Sequence, residues 1–156
     1  MSRYRASATL AASVALFVLA ALAHEFAFAQ EALCAQHQRQ FCNGNHCELP
    51  IAVSSCSAEG ISVAQDDLHL CKADGAKTIS WTLPPGGQFR FRDDGIDFKN
   101  LPNSDDFDAA TKQKGPFKYS WDDKLRNGAG RTFEYSIKLV NSAGQSCDKD
   151  PRISND

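Results

Sequence analysis

Four segments in the second half of the chain alternate between apolar and polar residues, and this period of two constrains the fold more than any other feature. Because successive side chains of a strand point to opposite faces, each segment is predicted to be a strand with one buried face. The apolar members of the four segments are Ile79, Trp81 and Leu83; Phe89 and Phe91; Phe117, Tyr119 and Trp121; and Phe133, Tyr135, Ile137 and Leu139.

Turn-forming residues separate these segments, and shorter apolar runs precede them. The earlier runs predict strands over Ile51–Ser54, Ile61–Ala64 and Asp67–Cys71. No segment has a convincing helical period, although Asp105–Lys112 can form one helical turn in a long connection. We therefore predict an all-β fold, an antiparallel β-sandwich with Greek-key connections. Trp81 and Trp121 lie on the apolar faces of their strands and are interpreted as core residues.

The first 29 residues have the pattern of a signal peptide. Arg3 and Arg5 precede an apolar run, and Ala27-Phe28-Ala29 supplies the small residues that a signal peptidase reads. We expect cleavage after Ala29, which places residues 30–156 in the periplasm or outside the cell with no transmembrane segment. A membrane anchor is the competing interpretation, since the apolar run approaches the ~20 residues that span a bilayer.

The expected mature chain has the length of one domain. We divide it into a cysteine-rich head, residues 30–71, and an aromatic-rich core with a tail, residues 72–156. Without Arg3, Arg5 and Glu25 it holds 15 basic and 18 acidic residues, a net charge of −3. This balance argues against a nucleic-acid partner.

The C-terminal residues carry a resemblance to known proteins. Cys147-Asp148-Lys149-Asp150-Pro151-x-Ile153-x-Asn155 closes a region that includes Ile79-x-Trp81-x-Leu83 and Tyr119-x-Trp121. This region, about Lys77 to Asn155, resembles small exported bacterial β-sandwich proteins that end in a Cys-x-x-Asp-Pro-x-Ile-x-Asn tail. The resemblance implies a cupredoxin-like or immunoglobulin-like architecture. It implies no activity.

All six cysteines lie in the expected mature chain: Cys34, Cys42, Cys47, Cys56, Cys71 and Cys147. An even number of cysteines in an oxidising compartment predicts disulfides, and six allow 15 connectivities. We expect Cys71 to pair with Cys147, because each lies at the end of a predicted strand. The other four would then pair among themselves and hold the head together. The turn-prone Asn43-Gly44-Asn45 suits a small ring between Cys42 and Cys47.

A metal site is the alternative use of the Cys34–Cys56 segment. His37, His46, Cys42 and Cys47 supply the nitrogen and sulfur ligands that zinc or copper takes, although their spacing matches no standard finger. A blue-copper site would need a methionine near the sandwich, and the one methionine is Met1. Under the disulfide interpretation, His37 and His46 become surface residues and no cofactor is expected.

A calcium site is a second alternative, at Asp93, Asp94 and Asp97 around Gly95. No Gly-x-Ser-x-Gly elbow surrounds a serine, and His69 alternates with Leu68 and Leu70, so its side chain is predicted to face solvent. We identify no catalytic residues. The sequence favours a non-enzymatic binding or structural module, whose partner is an envelope or extracellular protein or a glycan.

Overall fold

The structure, a computed structural model, describes residues 32–99, 106–125 and 130–156. The expected signal peptide and its cleavage site lie outside these ranges. Residues 32–41 are helical (α1), and a short 3-10 turn covers Lys72–Asp74. The strands within the described ranges are β1 (Cys42–Asn43), β2 (His46–Val53), β3 (Ile61–Val63), β4 (Asp67–Leu70), β5 (Lys77–Thr82), β6 (Phe89–Phe98), β7 (Phe107–Lys114), β8 (Lys118–Asp123), β9 (Arg131–Asn141), β10 (Ser146–Lys149) and β11 (Arg152–Asn155).

These strands form two sheets that pack against each other, which confirms the predicted all-β sandwich. The first sheet has the order β1-β2-β5-β8-β7, with β3 paired to β2. The second has the order β10-β9-β11-β4, with β6 paired to β9. The prediction of purely antiparallel strands is wrong, because β2 runs parallel to β5 and β11 runs parallel to β4. Alternation specifies which face of a strand is buried, but it does not specify the direction of the neighbouring strand.

The apolar faces of both sheets meet in one core. Trp81 of β5 and Tyr135 of β9 are fully buried, and Trp121 is 5% exposed, as predicted for core tryptophans. Phe98 joins the two sheets, since its ring lies 5.1 Å from the ring of Trp121 and 5.5 Å from that of Tyr135. Close edge-to-face and tilted contacts of this kind stabilise a core beyond the area they bury.

Helix α1 was not predicted. Its described residues are mostly good helix formers, namely Ala, Leu, Gln and Arg. Cys34, His37 and Gln38 are buried on one side, at the i, i+3, i+4 spacing of a helix that packs on a surface. Between Cys34 and the half-buried Phe41 the stripe is polar, so the apolar periodicity that signals a helix is weak.

A strand also replaces the predicted helical turn of Asp105–Lys112. Residues Phe107–Lys114 form β7, which pairs antiparallel with β8, while Asp105 lies outside the described residues. The buried ring of Phe107 stacks against Phe98 with 4.1 Å between their centroids. Pairing with β8 satisfies the backbone of this segment, which a single helical turn would leave largely unpaired.

The C-terminal tail is one strand with a single interruption. β10 and β11 pair with the same strand, β9, in one continuous register that Asp150 and Pro151 interrupt. Pro151 lacks an N–H but still accepts a hydrogen bond from the Tyr135 N–H at 3.2 Å. Ile153 is fully buried, so the tail docks on the sandwich.

All six cysteines form disulfides, which confirms the disulfide prediction, but the expected pair Cys71–Cys147 is wrong. The pairs are Cys34–Cys71, Cys42–Cys47 and Cys56–Cys147. Cys71 follows β4, where α1 packs, whereas Cys147 lies in β10 beyond β9 and β11. The expected small ring between Cys42 and Cys47 is present, and it closes the β1–β2 hairpin.

The pairing also changes the role of the cysteine-rich segment. The four cysteines from Cys34 to Cys56 do not pair only among themselves, because Cys34 and Cys56 reach residues outside that group. Strand β2 of this segment pairs with β5, and its side chains Leu49 and Ile51 are buried in the common core. The segment is therefore part of the sandwich rather than a head held by disulfides alone.

Candidate functional site

The residues of the alternative metal site do not form a cysteine–histidine site. Cys42 and Cys47 are joined in a disulfide, so neither offers a thiolate. His37 is 8% exposed in α1, where its ring contacts those of Phe41 and His69. The prediction that His37 becomes a surface residue is wrong, because α1 turns it onto the edge of β4.

Two of the three residues of the alternative calcium site, Asp94 and Asp97, are engaged with cations of the protein itself, and the third, Asp93, is exposed. Asp94 and Asp97 lie in β6, where a register shift against β9 places Arg92 to Gly95 opposite Lys138. The Lys138 ammonium lies 3.2 Å from Asp94 and 2.8 Å from Asp97. Burial opposes the ionisation of Asp94, but the hydrogen bond and charge of Lys138 lower its pKa overall.

In the part of the chain that the structure describes, no group of three or more His, Cys, Asp or Glu side chains is arranged to hold a metal ion. Among the same residues, no helix has the length and apolar character needed to cross a membrane.

Helix α1 covers the free edge of β4 through two polar side chains. The His69 N–H donates to His37 Nδ1 at 3.1 Å. With its amide oriented to satisfy both partners, Gln38 accepts from the Cys71 N–H at 3.3 Å and donates to Asp74. Unpaired edge groups invite pairing with another chain, so α1 protects this edge. The disulfide Cys34–Cys71 fixes the helix there.

His69 lies beneath this helix rather than in solvent. Its side chain does point away from Leu68 and Leu70, as alternation predicts, but α1 covers that face and leaves it 18% exposed. His69 Nδ1 lies 2.5 Å from Asp156 Oδ2. Burial and the neighbouring charge of His69 lower the pKa of His37, although Asp67 and Asp156 act in the opposite direction. A neutral His37 is the form that can accept the His69 N–H.

Serine, aspartate and histidine side chains meet here without forming a catalytic triad. Ser154 Oγ donates to Asp67 Oδ1 at 3.2 Å, and the same carboxylate oxygen lies 3.7 Å from His69 Nε2. The aspartate therefore lies between the serine and the histidine. In a triad the histidine contacts the serine and removes its proton, so this order supplies no activated nucleophile.

A groove of about 400 Å³ lies beside β10 and the start of β11. Its lining residues come from the segment before and into β4, from β10 and β11, and from the loop that holds Ala58: Ala58, Asp66, Asp67, Asp148, Lys149, Asp150, Pro151 and Arg152. The disulfide Cys56–Cys147 joins the Ala58 loop to β10. One wall of the groove is formed by β10, β11 and β4, and the other wall, the Ala58 loop, is joined to the same sheet by this disulfide.

The open edge of β10 borders this groove. Pro151 and Gln145 accept hydrogen bonds from β9, so the odd-numbered residues of the tail face β9 and the even-numbered ones face away. In β11 the outward groups reach β4, since the Arg152 N–H donates to the Asp66 carbonyl at 2.7 Å. Strand β4 begins at Asp67, opposite Arg152, and does not continue alongside β10. The outward N–H and C=O groups of Asp148 and Asp150 therefore face the groove.

The groove has an excess of negative charge. Its two bases are paired, Lys149 with Asp66 at 3.1 Å and Arg152 with Asp67 at 3.6 Å. Hydrogen bonds from Lys99 and Ser136 lower the pKa of Asp150, which keeps that carboxylate ionised. Asp148 is exposed and makes no ion pair among the described residues. Lys99, which lies outside the lining, pairs with Asp150 at 2.6 Å. Asp148 is therefore the one acid of the lining that no base among the described residues neutralises.

Asp123 at the end of β8 is a buried carboxyl group that sequence reasoning did not single out. It is fully buried, and burial raises its pKa to about 7, with the charge of Asp106 adding to the effect. Hydrogen bonds from the Leu125 N–H and the Asn155 amide oppose this rise. The sequence placed Asp123 in an acidic pair with Asp122, but only alternation from Trp121 could have shown that it faces inward.

No protein-family model matches this chain, and a search of curated proteins finds none that matches it.

Proposed function

We propose that this protein is an exported, disulfide-stabilised binding module that takes an extended, positively charged segment of another protein into the groove beside β10. The observation behind the proposal is the coincidence of three features at one place. An open strand edge, an excess of carboxylates and a wall fixed by Cys56–Cys147 all border the same groove. The module is not an enzyme in this account.

The open edge favours a protein partner over a glycan. An extended segment can align its backbone with the outward N–H and C=O groups of Asp148 and Asp150, as in strand addition. Glycan sites commonly use exposed aromatic rings, and the described lining of this groove has none. Because two residues of the tail, Asp148 and Asp150, are open, we expect a short contact of about four partner residues.

Charge sets the expected specificity of the groove. Lysine or arginine side chains on the partner would meet the unpaired Asp148, while an acidic segment would be repelled. The rigid walls reduce the ordering that binding requires, which favours affinity. These contacts are solvent-exposed, so binding is expected to weaken as salt is raised.

Export is the second part of the proposal. Three disulfides are typical of proteins that fold in an oxidising compartment. We propose that signal peptidase removes residues 1–29 and that residues 30–156 act as a single domain in the periplasm or outside the cell. N-terminal sequencing of the exported protein tests this, and a chain that begins at Gln30 is the expected result.

Metal binding at His37, His46, Cys42 and Cys47 is not proposed, because the Cys42–Cys47 disulfide removes both thiolates from the ligand set.

The binding experiment uses fluorescence anisotropy with two labelled peptides of alternating sequence, one Lys-Val-Lys-Val-Lys-Val and the other with glutamate in place of lysine. We expect saturable binding of the lysine peptide alone. Asp148→Lys should reduce its affinity at least about tenfold, since it reverses the charge at the open edge. Asp93→Lys, an exposed charge reversal on β6, is the matched control and should bind like the wild type.

The proposed site would be contradicted if the two peptides bind equally. It would also be contradicted if Asp93→Lys weakens binding as much as Asp148→Lys does. Absence of binding by either peptide would contradict the proposed ligand class.

A further inference from the structure

Three oxygen-bearing side chains meet in the core at one end of the sandwich, away from the groove. Asp123 ends β8, Asn155 ends β11, and Asp106 immediately precedes β7. Their exposed fractions are 0%, 1% and 0%. The Lys124 N–H donates to the Asp106 carbonyl at 2.6 Å, and Asn155 Nδ2 donates to Asp123 Oδ1 at 3.4 Å. Both sheets therefore contribute to this cluster, which we call the carboxyl–amide cluster.

Two oxygens of the cluster have no hydrogen-bond partner within the described part of the chain. These are Asp123 Oδ2 and Asn155 Oδ1. Burying a polar atom without a partner is costly, and burying an ionised carboxylate without compensation costs more. Native proteins rarely leave such atoms unsatisfied, so each calls for an explanation such as a bound ion.

The base opposite Asp123 in the neighbouring strand does not supply the compensation. Lys77 is the strand partner of Asp123 in the β5–β8 ladder. Its ammonium instead donates to the carbonyl oxygens of Gly44 at 3.0 Å and Asp74 at 3.3 Å. The second buried carboxyl, that of Asp106, is near enough for its charge to act on Asp123, and the Lys77 ammonium is directed elsewhere.

We propose that the carboxyl–amide cluster binds a calcium ion. Carboxylate and amide oxygens are the ligands of a hard cation, and two aspartates balance its double charge. The site supplies no nitrogen or sulfur, which disfavours zinc and copper. Magnesium usually keeps several of its bound waters, and a fully buried cluster leaves little room for them. Calcium more readily takes protein oxygens in their place, so the site favours calcium over magnesium. Calcium affinities of extracellular modules are on the order of 10⁻⁴–10⁻³ M, which suits an exported protein.

This site differs from the alternative calcium site at Asp93, Asp94 and Asp97, and the proposal does not depend on the proposed peptide groove. It predicts that the ion links β8, β11 and the start of β7. The ion should therefore stabilise the whole sandwich rather than a surface loop.

Trp121 offers a direct optical test. Trp121 and Asp123 both point inward from β8, two residues apart, so their Cα atoms are separated by about 7 Å. Terbium, which replaces calcium at oxygen sites, should therefore luminesce when the tryptophan is excited. We expect a saturable terbium signal at one ion per chain that calcium displaces and magnesium does not.

Thermal unfolding provides the second readout. In wild type freed of metal by a chelator, 5 mM calcium is expected to raise Tm by roughly 3–8 °C. Asp123→Asn should lose both the Tm response and the terbium signal. Asp122→Asn is the matched control, since Asp122 is the neighbouring carboxylate on the other face of β8 and accepts a hydrogen bond from Thr78. It should retain both responses.

The wild-type protein alone can overturn the proposal. If calcium neither shifts its Tm nor displaces terbium, the site does not bind calcium.

Discussion

The indole N–H of Trp81 donates a hydrogen bond to the hydroxyl of Tyr135 at 3.0 Å, across the interface between the two sheets. Trp81 belongs to β5 and Tyr135 to β9, both side chains are fully buried, and their ring centroids lie 5.2 Å apart. Burial raises the pKa of Tyr135, so its hydroxyl remains protonated at any physiological pH. The pair couples the two sheets at the centre of the core.

Replacing Tyr135 with phenylalanine should destabilise the protein by about 1–3 kcal/mol, because the Trp81 N–H would remain buried without an acceptor. The ring and most of its packing are kept, so the urea m-value should be unchanged. Urea denaturation followed by tryptophan fluorescence measures the loss. A Ser62→Ala variant on the exposed face of β3 serves as the control, and equal stability of Tyr135→Phe and wild type would contradict the importance of the bond.

Removal of the long-range disulfide should cost more stability than removal of the hairpin disulfide. Cys56 and Cys147 are 91 residues apart, whereas Cys42 and Cys47 are 5 residues apart. In the loop-entropy model the two cross-links contribute about 4.5 and about 2 kcal/mol. Double alanine variants of each pair, compared by chemical denaturation, test the order. A larger loss for the hairpin pair would contradict this prediction.

Gly95→Ala should destabilise the bulge of β6. A Cβ at this position would lie 2.9 Å from the Arg92 carbonyl oxygen and 2.9 Å from the Phe91 Cβ. Neither atom is the free end of a flexible side chain, so the strand must shift, at a cost of about 1–3 kcal/mol. Asp93→Ala, an exposed neighbour, should leave stability nearly unchanged. Equal Tm values for the two variants would show that the bulge relaxes freely.

Acidification should weaken the attachment of α1 to β4. The pKa of His37 is below its ordinary value of 6.5 in the folded protein, mainly through burial. The unfolded chain therefore binds this proton more readily than the folded chain. The contribution of His37 is complete above pH 6.5 and is lost as pH falls through the lower folded value. Protonation also removes the acceptor for the His69 N–H.

Hydrogen exchange measures this effect directly. The amide of His69 should exchange faster relative to core amides as pH is lowered, after correction for the intrinsic pH dependence of exchange. His37→Gln should flatten the response, while His46→Gln, on β2, should retain it. Protection of the His69 amide that is independent of pH would contradict the role assigned to His37.

The strands were predictable because their apolar residues recur with a period of two. Ile79 and Trp81, or Tyr135 and Ile137, identify a buried face without reference to any other part of the chain. The turn at Asn43-Gly44-Asn45 was equally local, and it predicted the Cys42–Cys47 ring. The direction of β5 relative to β2 depends on the route of the intervening chain, which alternation does not encode.

The functional candidates depended on contacts that are distant in sequence. Lys138 forms ion pairs with Asp94 and Asp97 from another strand, and Asn155 reaches Asp123 across 32 residues. His37 is buried because α1 packs its polar residues against the edge of β4. In the sequence, such a run of polar residues looks the same as an exposed surface segment. The groove beside β10 exists because β4 begins at Asp67 and does not run alongside β10, which no composition or spacing indicates.

Disulfide mapping of the natively exported protein tests the account most directly, because the disulfides position α1, the β1–β2 hairpin and the wall of the groove. Proteolysis without reduction, followed by mass spectrometry, identifies the linked peptides. The account predicts the pairs Cys34–Cys71, Cys42–Cys47 and Cys56–Cys147, with all six thiols blocked. A Cys71–Cys147 link, or free thiols at Cys42 and Cys47 with a bound metal ion, would contradict it.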